Sequence, residues 1–250
     1  MYKIAVLMAC YNRCSTTLDC LRRLFLAAEQ YNEVDLAVFL VDDGSQDGTG
    51  ASVHLEFPKV NVIHGDGTLY WANGMKKAWE VAVEQGEWDG YLWLNDDAVL
   101  CRDAIRKLLA VNNGRQIVVG DLEDAEGKVI YGLREGGVFT GNCVLVPHEV
   151  FGRLGMICGD YAHAWADSDY AMMAKHANVG VVSAGVVGMG RANPIRPSLK
   201  GVSLRDRIAL LRNPKGWNLH DLWLYRRRNW GLCAAIASCV HLIAHVIIGE

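Results

Sequence analysis

Four short apolar runs in the first hundred residues each give way to a polar loop, and the segments between them carry apolar residues at helical spacing. Few folds accept that pattern. Lys3–Ala9 reads as a buried strand ending in Cys10-Tyr-Asn-Arg13, and Ser15, Thr16 or Thr17 can cap a helix bearing Leu18, Leu21, Leu24, Phe25 and Ala28. Leu36–Val41 and Val60–His64 read as the next strands, followed by a Gly65–Gly67 turn and a helix carrying Met75, Ala78, Trp79 and Val83. Tyr91–Leu94 is the fourth strand and Arg102–Val111 another helix. Strands alternating with helices at this pitch predict a mostly parallel sheet covered on both faces. In such sheets ligands bind beyond the carboxyl ends of the strands.

The second, third and fourth of these strands each run into a segment containing aspartate: Asp42/Asp43, Asp66 and Asp96/Asp97. One such aspartate is an ordinary turn residue. Several at one sheet edge point to a site. Paired carboxylates at a strand end suit a hard divalent cation that leaves positions open for phosphate oxygens. A second acidic pair, Asp167 and Asp169, opens a helix read over Asp167–Ala177. There one acid faces the cleft while the other caps the helix or holds a basic neighbour, or both cap.

Beyond residue 115 the alternation loosens. Gln116–Gly120, Val138–Thr140, Cys143–Val146 and Val179–Ser183 read as strands among Gly-rich turns. The eight cysteines form no C-x-x-C pair, which disfavours a zinc cluster or disulfide scaffold and suggests reduced thiols in a cytoplasmic protein. Near residue 190 the composition changes. Residues 1–190 hold 25 Asp and Glu against 15 Lys and Arg, whereas residues 191–250 hold 3 against 10. The expected organisation is a body over 1–190 and a basic, Trp-containing extension over 191–250. Its cations include Arg191, Arg196, Lys200, Lys215 and Arg226–Arg228, and its Trp230–Gly249 stretch lacks Asp, Glu, Lys and Arg. Basic and aromatic residues before an apolar helix mark a cytoplasmic membrane interface. Ser238, His241 and His245 temper that stretch, so an interfacial helix is expected in preference to a span. Nucleic acid is not expected as a partner, given the acidic body and apolar end.

Four segments together resemble family 2 glycosyltransferases of the GT-A fold: Met8-Ala-Cys-Tyr-Asn-Arg13, Val41-Asp-Asp-Gly-Ser-Gln-Asp-Gly-Thr49, Tyr91-Leu-Trp-Leu-Asn-Asp-Asp97 and Trp165-Ala-Asp-Ser-Asp-Tyr170. A fifth, Gly65–Met75, is similar to the donor loop of the bacterial rhamnosyl- and galactofuranosyltransferase branch. The resemblance implies a Rossmann-like α/β domain with a C-terminal helical extension. It also implies that Tyr11, Asn12, Asp42 and Asp43 contact the base and ribose of a nucleotide-sugar; Asp43 reads equally as a turn residue. Asp66, Trp71 and Asn73 are implied to approach the nucleotide or sugar, with Trp71 equally readable as a core aromatic. Asp97 fills the last position of the family's D-x-D motif and is implied to bind Mg²⁺ or Mn²⁺, with Asp96 in support and Asn95 replacing the first Asp. Asp167 matches the proposed catalytic base, and Ala166 replaces the family's preceding Glu. His163 reads either as an acceptor contact or as a surface histidine. Many relatives carry a metal-binding His after the last strand; Val186–Arg191 has none, which leaves Asp97, diphosphate and water.

The implied activity is inverting, metal-dependent hexosyl transfer from dTDP-rhamnose or a UDP-galactofuranose or UDP-hexose donor to a glycan hydroxyl. The acceptor expected with such a tail is lipid-linked, as in O-antigen or other bacterial surface polysaccharide synthesis, on the inner face of the cell membrane. The competing reading is a catalytically silent nucleotide- or glycan-binding scaffold of a membrane complex.

Overall fold

A computed structural model describes residues 1–31, 33–191 and 198–249. Arg196 of the basic tail lies outside the described residues. The apolar runs form strands β1 (Tyr2–Cys10), β2 (Val34–Asp42), β3 (Asn61–His64) and β4 (Gly90–Leu94), which pair in parallel in the order β3-β2-β1-β4. Between them run α1 (Cys14–Glu29), α2 (Thr49–Glu56) and α3 (Tyr70–Gln85). Both faces of this block are buried, and the two-residue period sorts its side chains. Ala5, Leu7, Phe39, Val41, Tyr91 and Trp93 pack with Ala78 and Trp79 of α3 on one face, while Ile4, Val6, Met8, Leu40 and Leu92 pack with Leu21 and Leu24 of α1 on the other. That double burial explains why these strands read as continuous apolar runs.

The second half departs from simple alternation. The short β5 (Val99–Leu100) precedes α4 (Ala104–Ala110), β6 (Gln116–Glu123), β7 (Val129–Tyr131), β8 (Cys143–Pro147), α5 (His148–Leu154), α6 (Ala166–His176) and β9 (Gly180–Met189). Strand β8 inserts antiparallel between β4 and β6, β9 runs parallel to β6, and β5 closes the far edge against β9. A strand expected at Val138–Thr140 is not formed. Arg134–Val138 instead contains a single 3₁₀ turn, with Gly136 and Gly137 at φ of 78° and 81°, and only an isolated bridge joins Leu133 to Phe139. Val138 itself is extended, but the positive φ of Gly136 and Gly137 turns the chain just before it, so residues 138–140 meet Leu133 at a single bridge and form no ladder. The helices α2 and α5, of 8 and 7 residues, carry too few turns to declare a period in the sequence.

The tail folds into α7 (Leu204–Leu210), α8 (Leu219–Trp230) and α9 (Leu232–Ile248), with Gly231 at φ 85° turning the chain between the last two. Leu222 of α8 packs with Leu242 and Val246 of α9 in a small separate core. At 17 residues α9 is about 25 Å long, short of a hydrocarbon thickness. Among the described residues no helix is long and apolar enough to cross a membrane.

Candidate active site

A cleft of about 260 Å³ opens at the carboxyl ends of β1 and β4. Of the residues expected there, Tyr11, Asp43, Trp71, Asp96 and Asp97 line it. Its other contributors include Arg13, Asn95, Asn142, His163 and Lys215.

The loops around the cleft are clipped to one another. Asn12, in the left-handed region at φ 51°, receives the Gln46 N–H on its Oδ1 at 2.7 Å and donates its own N–H to Ser45 at 2.8 Å. Asp47 accepts the N–H of Cys14 at 2.9 Å and so serves the open start of α1 from a different loop. Asp42 turns its Oδ1 to the Ser45 N–H at 3.0 Å, and its Oδ2 lies where a Cβ on Gly50 would intrude. Asp43 is 4% exposed and accepts from the N–H groups of Gly67, Leu69 and Tyr70, shaping the entry to α3. Asp43 thus organises a turn, and it also borders the cleft. Asp66 is exposed and bonded to Thr68, while Asn73 donates to the Tyr161 carbonyl at 3.1 Å. Asn12, Asp42, Asp66 and Asn73 surround the cleft without lining it.

At the cleft floor the Arg13 guanidinium bridges Asp96 Oδ1 and Asp97 Oδ2, each at 3.0 Å. Burial pushes the Asp96 carboxyl up to about 6, with Arg13 opposing the shift and Asp97 adding to it. Asn95 is held in place because its Oδ1 accepts the Trp71 indole N–H at 2.8 Å and its own N–H donates to the Asn142 carbonyl at 2.9 Å. Trp71 packs edge-on against the buried Trp93, so it is both a core aromatic and a cleft wall.

Asp167 stands just behind this wall, in the first turn of α6. Its Oδ2 accepts the Gly141 N–H at 3.0 Å and its Oδ1 accepts the Ser168 N–H at 2.7 Å. Burial raises its pKa, and the Gly141 and Ser168 hydrogen bonds partly offset the rise. Gly141 precedes Asn142, the residue that fixes Asn95, and a Cβ on Gly141 would meet the Trp71 ring at 2.5 Å and Asp167 Cβ at 3.3 Å. A short chain of contacts thus joins the Asp96/Asp97 loop to Asp167. Asp167 itself does not line the cleft.

The loop before α6 is braced by α8. Asp221, fully buried, accepts the N–H groups of Ala162 and His163 at 3.3 Å each. Asp169 is 1% exposed and lies 3.2 Å from the Arg228 guanidinium, with Asn229 donating to it at 2.8 Å. Tyr225 stacks on Trp165 at 4.6 Å. Of the acidic pair, Asp169 is therefore anchored to the tail. His163 is half-buried in the cleft wall and is not a surface histidine; burial, then the positive Lys215, lower its pKa to about 4. Lys215 lies over the Tyr11 ring at 5.8 Å. Arg13 and Lys215 were not among the residues expected at the site. Arg13 had a local signal, as a cation directly after Tyr11-Asn12. Lys215 reaches the cleft only through the tertiary fold.

The described residues contain no group of three His, Cys, Asp or Glu side chains able to cage a metal by themselves. Asp96 and Asp97 supply hard oxygen donors already facing a cation, Arg13. That donor set fits Mg²⁺ or Mn²⁺ sharing its shell with phosphate oxygens and water.

A curled, mostly parallel α/β sheet with carboxylates gathered at its strand ends is the architecture of the GT-A class. Residues 5–134 match the family model described as glycosyl transferase family 2, and the chain belongs to that family. Solved structures similar in fold include a mannosyltransferase from Pyrobaculum calidifontis in complex with GDP-Man and Mn²⁺, at 16% identity and TM-score 0.59, covering 97% of this chain and 69% of that one. TarS residues 1–349 from S. aureus match at 13% identity and TM-score 0.57, covering 99% and 81%. Glucosyl-3-phosphoglycerate synthase from Mycobacterium tuberculosis, in complex with Mn²⁺, UDP-glucose and phosphoglyceric acid, matches at 14% identity and TM-score 0.53, covering 78% and 73%. No curated protein matches the chain in sequence.

Proposed function

We propose that the protein transfers a hexosyl group, with inversion, from a nucleotide-sugar to a hydroxyl of a lipid-linked glycan, and that Asp167 is the base. The donor class is dTDP-rhamnose or a UDP-galactofuranose or UDP-hexose, from the likeness of Gly65–Met75 to that branch. The observation that carries the reading is the link from the Asp96/Asp97 loop through Asn95, Asn142 and Gly141 to Asp167. It puts a cation-binding edge and a carboxylate of raised pKa beside one cleft.

Asp97, with Asp96 in support, would hold Mg²⁺ or Mn²⁺. When bound, that ion stabilises the negative charge developing on the diphosphate as the sugar–phosphate bond breaks. Arg13 keeps the two carboxylates together and adds a positive charge at the same edge. Tyr11 and Asp43 border the space for the nucleoside. Asp167 accepts the proton of the attacking hydroxyl, and its burial favours that transfer because the protonated form is the better-tolerated one there. A single displacement by that hydroxyl inverts the anomeric centre. GDP-Man in one fold neighbour and UDP-glucose in another support a nucleotide-sugar in this cleft.

In this reading residues 1–190 form the transferase body, and the extension over 191–250 rests on the inner face of the cell membrane during bacterial surface polysaccharide (O-antigen-type) synthesis. Exposed Ile236 and Val240, with Leu232 on the same side of α9, follow the Arg226–Arg228 cluster and support an interfacial placement. The test pairs a panel of nucleotide-sugars, with Mn²⁺, with the Asp167→Asn variant. Turnover is expected to fall by roughly a thousand-fold while nucleoside diphosphate affinity stays within about two-fold. Unchanged turnover in the variant overturns the assignment of Asp167.

A further inference from the structure

Among the described residues Arg13 and Lys215 are the lysine or arginine side chains that line the cleft, and their surroundings differ. Arg13 is committed to Asp96 and Asp97, at 3.0 Å from each. Lys215 forms no ion pair among the described residues. Its ammonium lies 5.8 Å from the centre of the Tyr11 ring, and its charge reaches His163 strongly enough to help keep that ring neutral. The ammonium therefore stands between the Tyr11 side of the cleft and the loop before α6. At 5.8 Å the contact with Tyr11 is near the outer limit of about 6 Å for a cation over a ring, too weak to be the purpose of the placement. The turn that presents Lys215 is closed on itself. Asn213 Oδ1 accepts the Lys215 N–H at 2.9 Å, and the Gly216 N–H donates to the Asn213 carbonyl at 2.9 Å. The N–H groups of Trp217 and Leu219 donate to the carbonyls of Leu210 and Leu211 at 3.0 and 2.9 Å. A Cβ at Gly216 would lie 2.6 Å from the Leu210 carbonyl oxygen, so glycine is needed for this closure. The backbone is fixed while the charge rides on a flexible four-carbon stem, which suits a cation that follows a phosphate.

We propose that Lys215 is a donor-binding residue that contacts the diphosphate of the nucleotide-sugar, so that the tail completes the donor side of the cleft. The inference deepens the nucleotide-sugar reading and rests on it. Charge balance argues for it. Asp43, Asp96 and Asp97 line the cleft against Arg13 and Lys215, so a diphosphate enters a space already rich in carboxylates. Breaking the sugar–phosphate bond adds more negative charge there. Arg13 is already shared between two carboxylates, which leaves the Lys215 ammonium to meet phosphate oxygens from the tail side. The same turn runs directly into α8, so a diphosphate held by Lys215 ties residues 211–219 to the loop after β1.

The experiment titrates the full chain, in the presence of Mn²⁺, with UDP and dTDP by calorimetry and with uridine and thymidine by ligand-observed NMR. Lys215 is exposed, so its replacement leaves the core untouched. Lys215→Gln is expected to weaken the diphosphate that the wild type binds by about ten-fold and the matching nucleoside by less than about two-fold. Lys215→Arg, which keeps the charge, should stay within about three-fold of wild type for both. Arg212→Gln removes an exposed charge that is outside the cleft lining, and it should leave both affinities unchanged. Hydrogen exchange of the backbone amides over 211–219 should slow when the diphosphate binds wild type, and not when it binds Lys215→Gln. Equal losses for nucleoside and diphosphate would make Lys215 a support for Tyr11 and overturn the inference. An equal loss in Arg212→Gln would overturn it too, since net charge alone would then account for the effect. Diphosphate binding that is indifferent to Lys215→Gln, with sugar transfer intact, defeats this assignment alone. No diphosphate binding by wild type defeats the nucleotide-sugar reading and this inference with it.

Discussion

The two banks of the cleft hold their acids in different ways. On the β1–β4 bank the carboxylates are set by nearby loops of the same parallel block. Asp42 and Asp43 bond to amides of their own or the adjacent crossover, and Asp96 and Asp97 are gripped by Arg13 from the loop after β1. On the other bank Asp167 sits on α6, and α6 with the loop before it is braced from the tail by Asp221, Arg228, Asn229 and Tyr225. The first bank is complete once the parallel strands pair. The second needs a helix some sixty residues further along the chain, as with Asp169 and Asn229. Ligand-facing parts tied by such long-range contacts are the ones able to shift as a unit. The β1–β4 bank should behave as a fixed platform and the α6 bank as an adjustable one.

Gly141 is the seam between them, so the largest effect is expected there. A methyl group at this position has no room: it would lie 2.5 Å from the Trp71 ring and 3.3 Å from Asp167 Cβ. Gly141→Ala must displace Trp71 from Asn95, Asp167 from its amide, or both. Turnover is expected to drop by roughly a hundred-fold, with the metal-dependent binding of nucleoside diphosphate reduced far less. Steady-state kinetics beside nucleotide titration reads the two separately. Equal losses in both would show that the banks are one rigid unit.

Asp221→Ala probes the brace alone. The side chain is fully buried and accepts two backbone N–H groups, so its removal leaves buried donors unpaired at a cost of about 2 kcal/mol. In a chain of this size that is a melting point lowered by about 4–8 °C. Turnover is expected to fall about ten-fold through the misplaced 161–169 loop, with nucleoside diphosphate affinity within about three-fold. A fall in nucleotide affinity as large as the fall in turnover would erase the distinction between the banks.

The same contrast explains what could be read in the sequence. On the β1–β4 bank the strands announce themselves, because burial on both faces makes Ile4–Met8 and Val38–Val41 unbroken apolar runs, and each run stops just before the site. Asp96 and Asp97 follow from where the Tyr91–Leu94 run ends, while Tyr11 came from the family resemblance. Asp42 and Asp66 were read from their strand ends as well as from motif position, and Asn73 from motif position alone; neither signal gives direction, and their bonds to Ser45, Thr68 and Tyr161 are set by loop closure. On the α6 bank the antiparallel insertion of β8 and the bracing by α8 have no local signature. Asp221 looks like a helix-start acid next to Asn218, and only the packed fold reveals that it serves the loop at Ala162 and His163. Lys215 belongs with it: its charge was legible as part of a basic tail, its place over Tyr11 was not.

His163 offers the finest test, since it lies where the two banks meet and its backbone is held by Asp221. Burial first, and Lys215 second, lower its pKa to about 4 from an ordinary value of 6.5. The unfolded chain then binds a proton at this residue between those values while the folded chain does not. Stability from the neutral ring is fully present above pH 6.5 and is lost as pH falls toward 4. His163→Asn removes that dependence and keeps a polar side chain in the cleft wall. Thermal unfolding at a series of pH values should show the wild-type melting point falling by a few degrees more than the variant's over this window. Lys215→Gln should narrow the difference, because it removes the larger of the two positive charges that lower this pKa beside burial. Parallel pH profiles for wild type and His163→Asn would place this ring in contact with water and take it out of the shared wall.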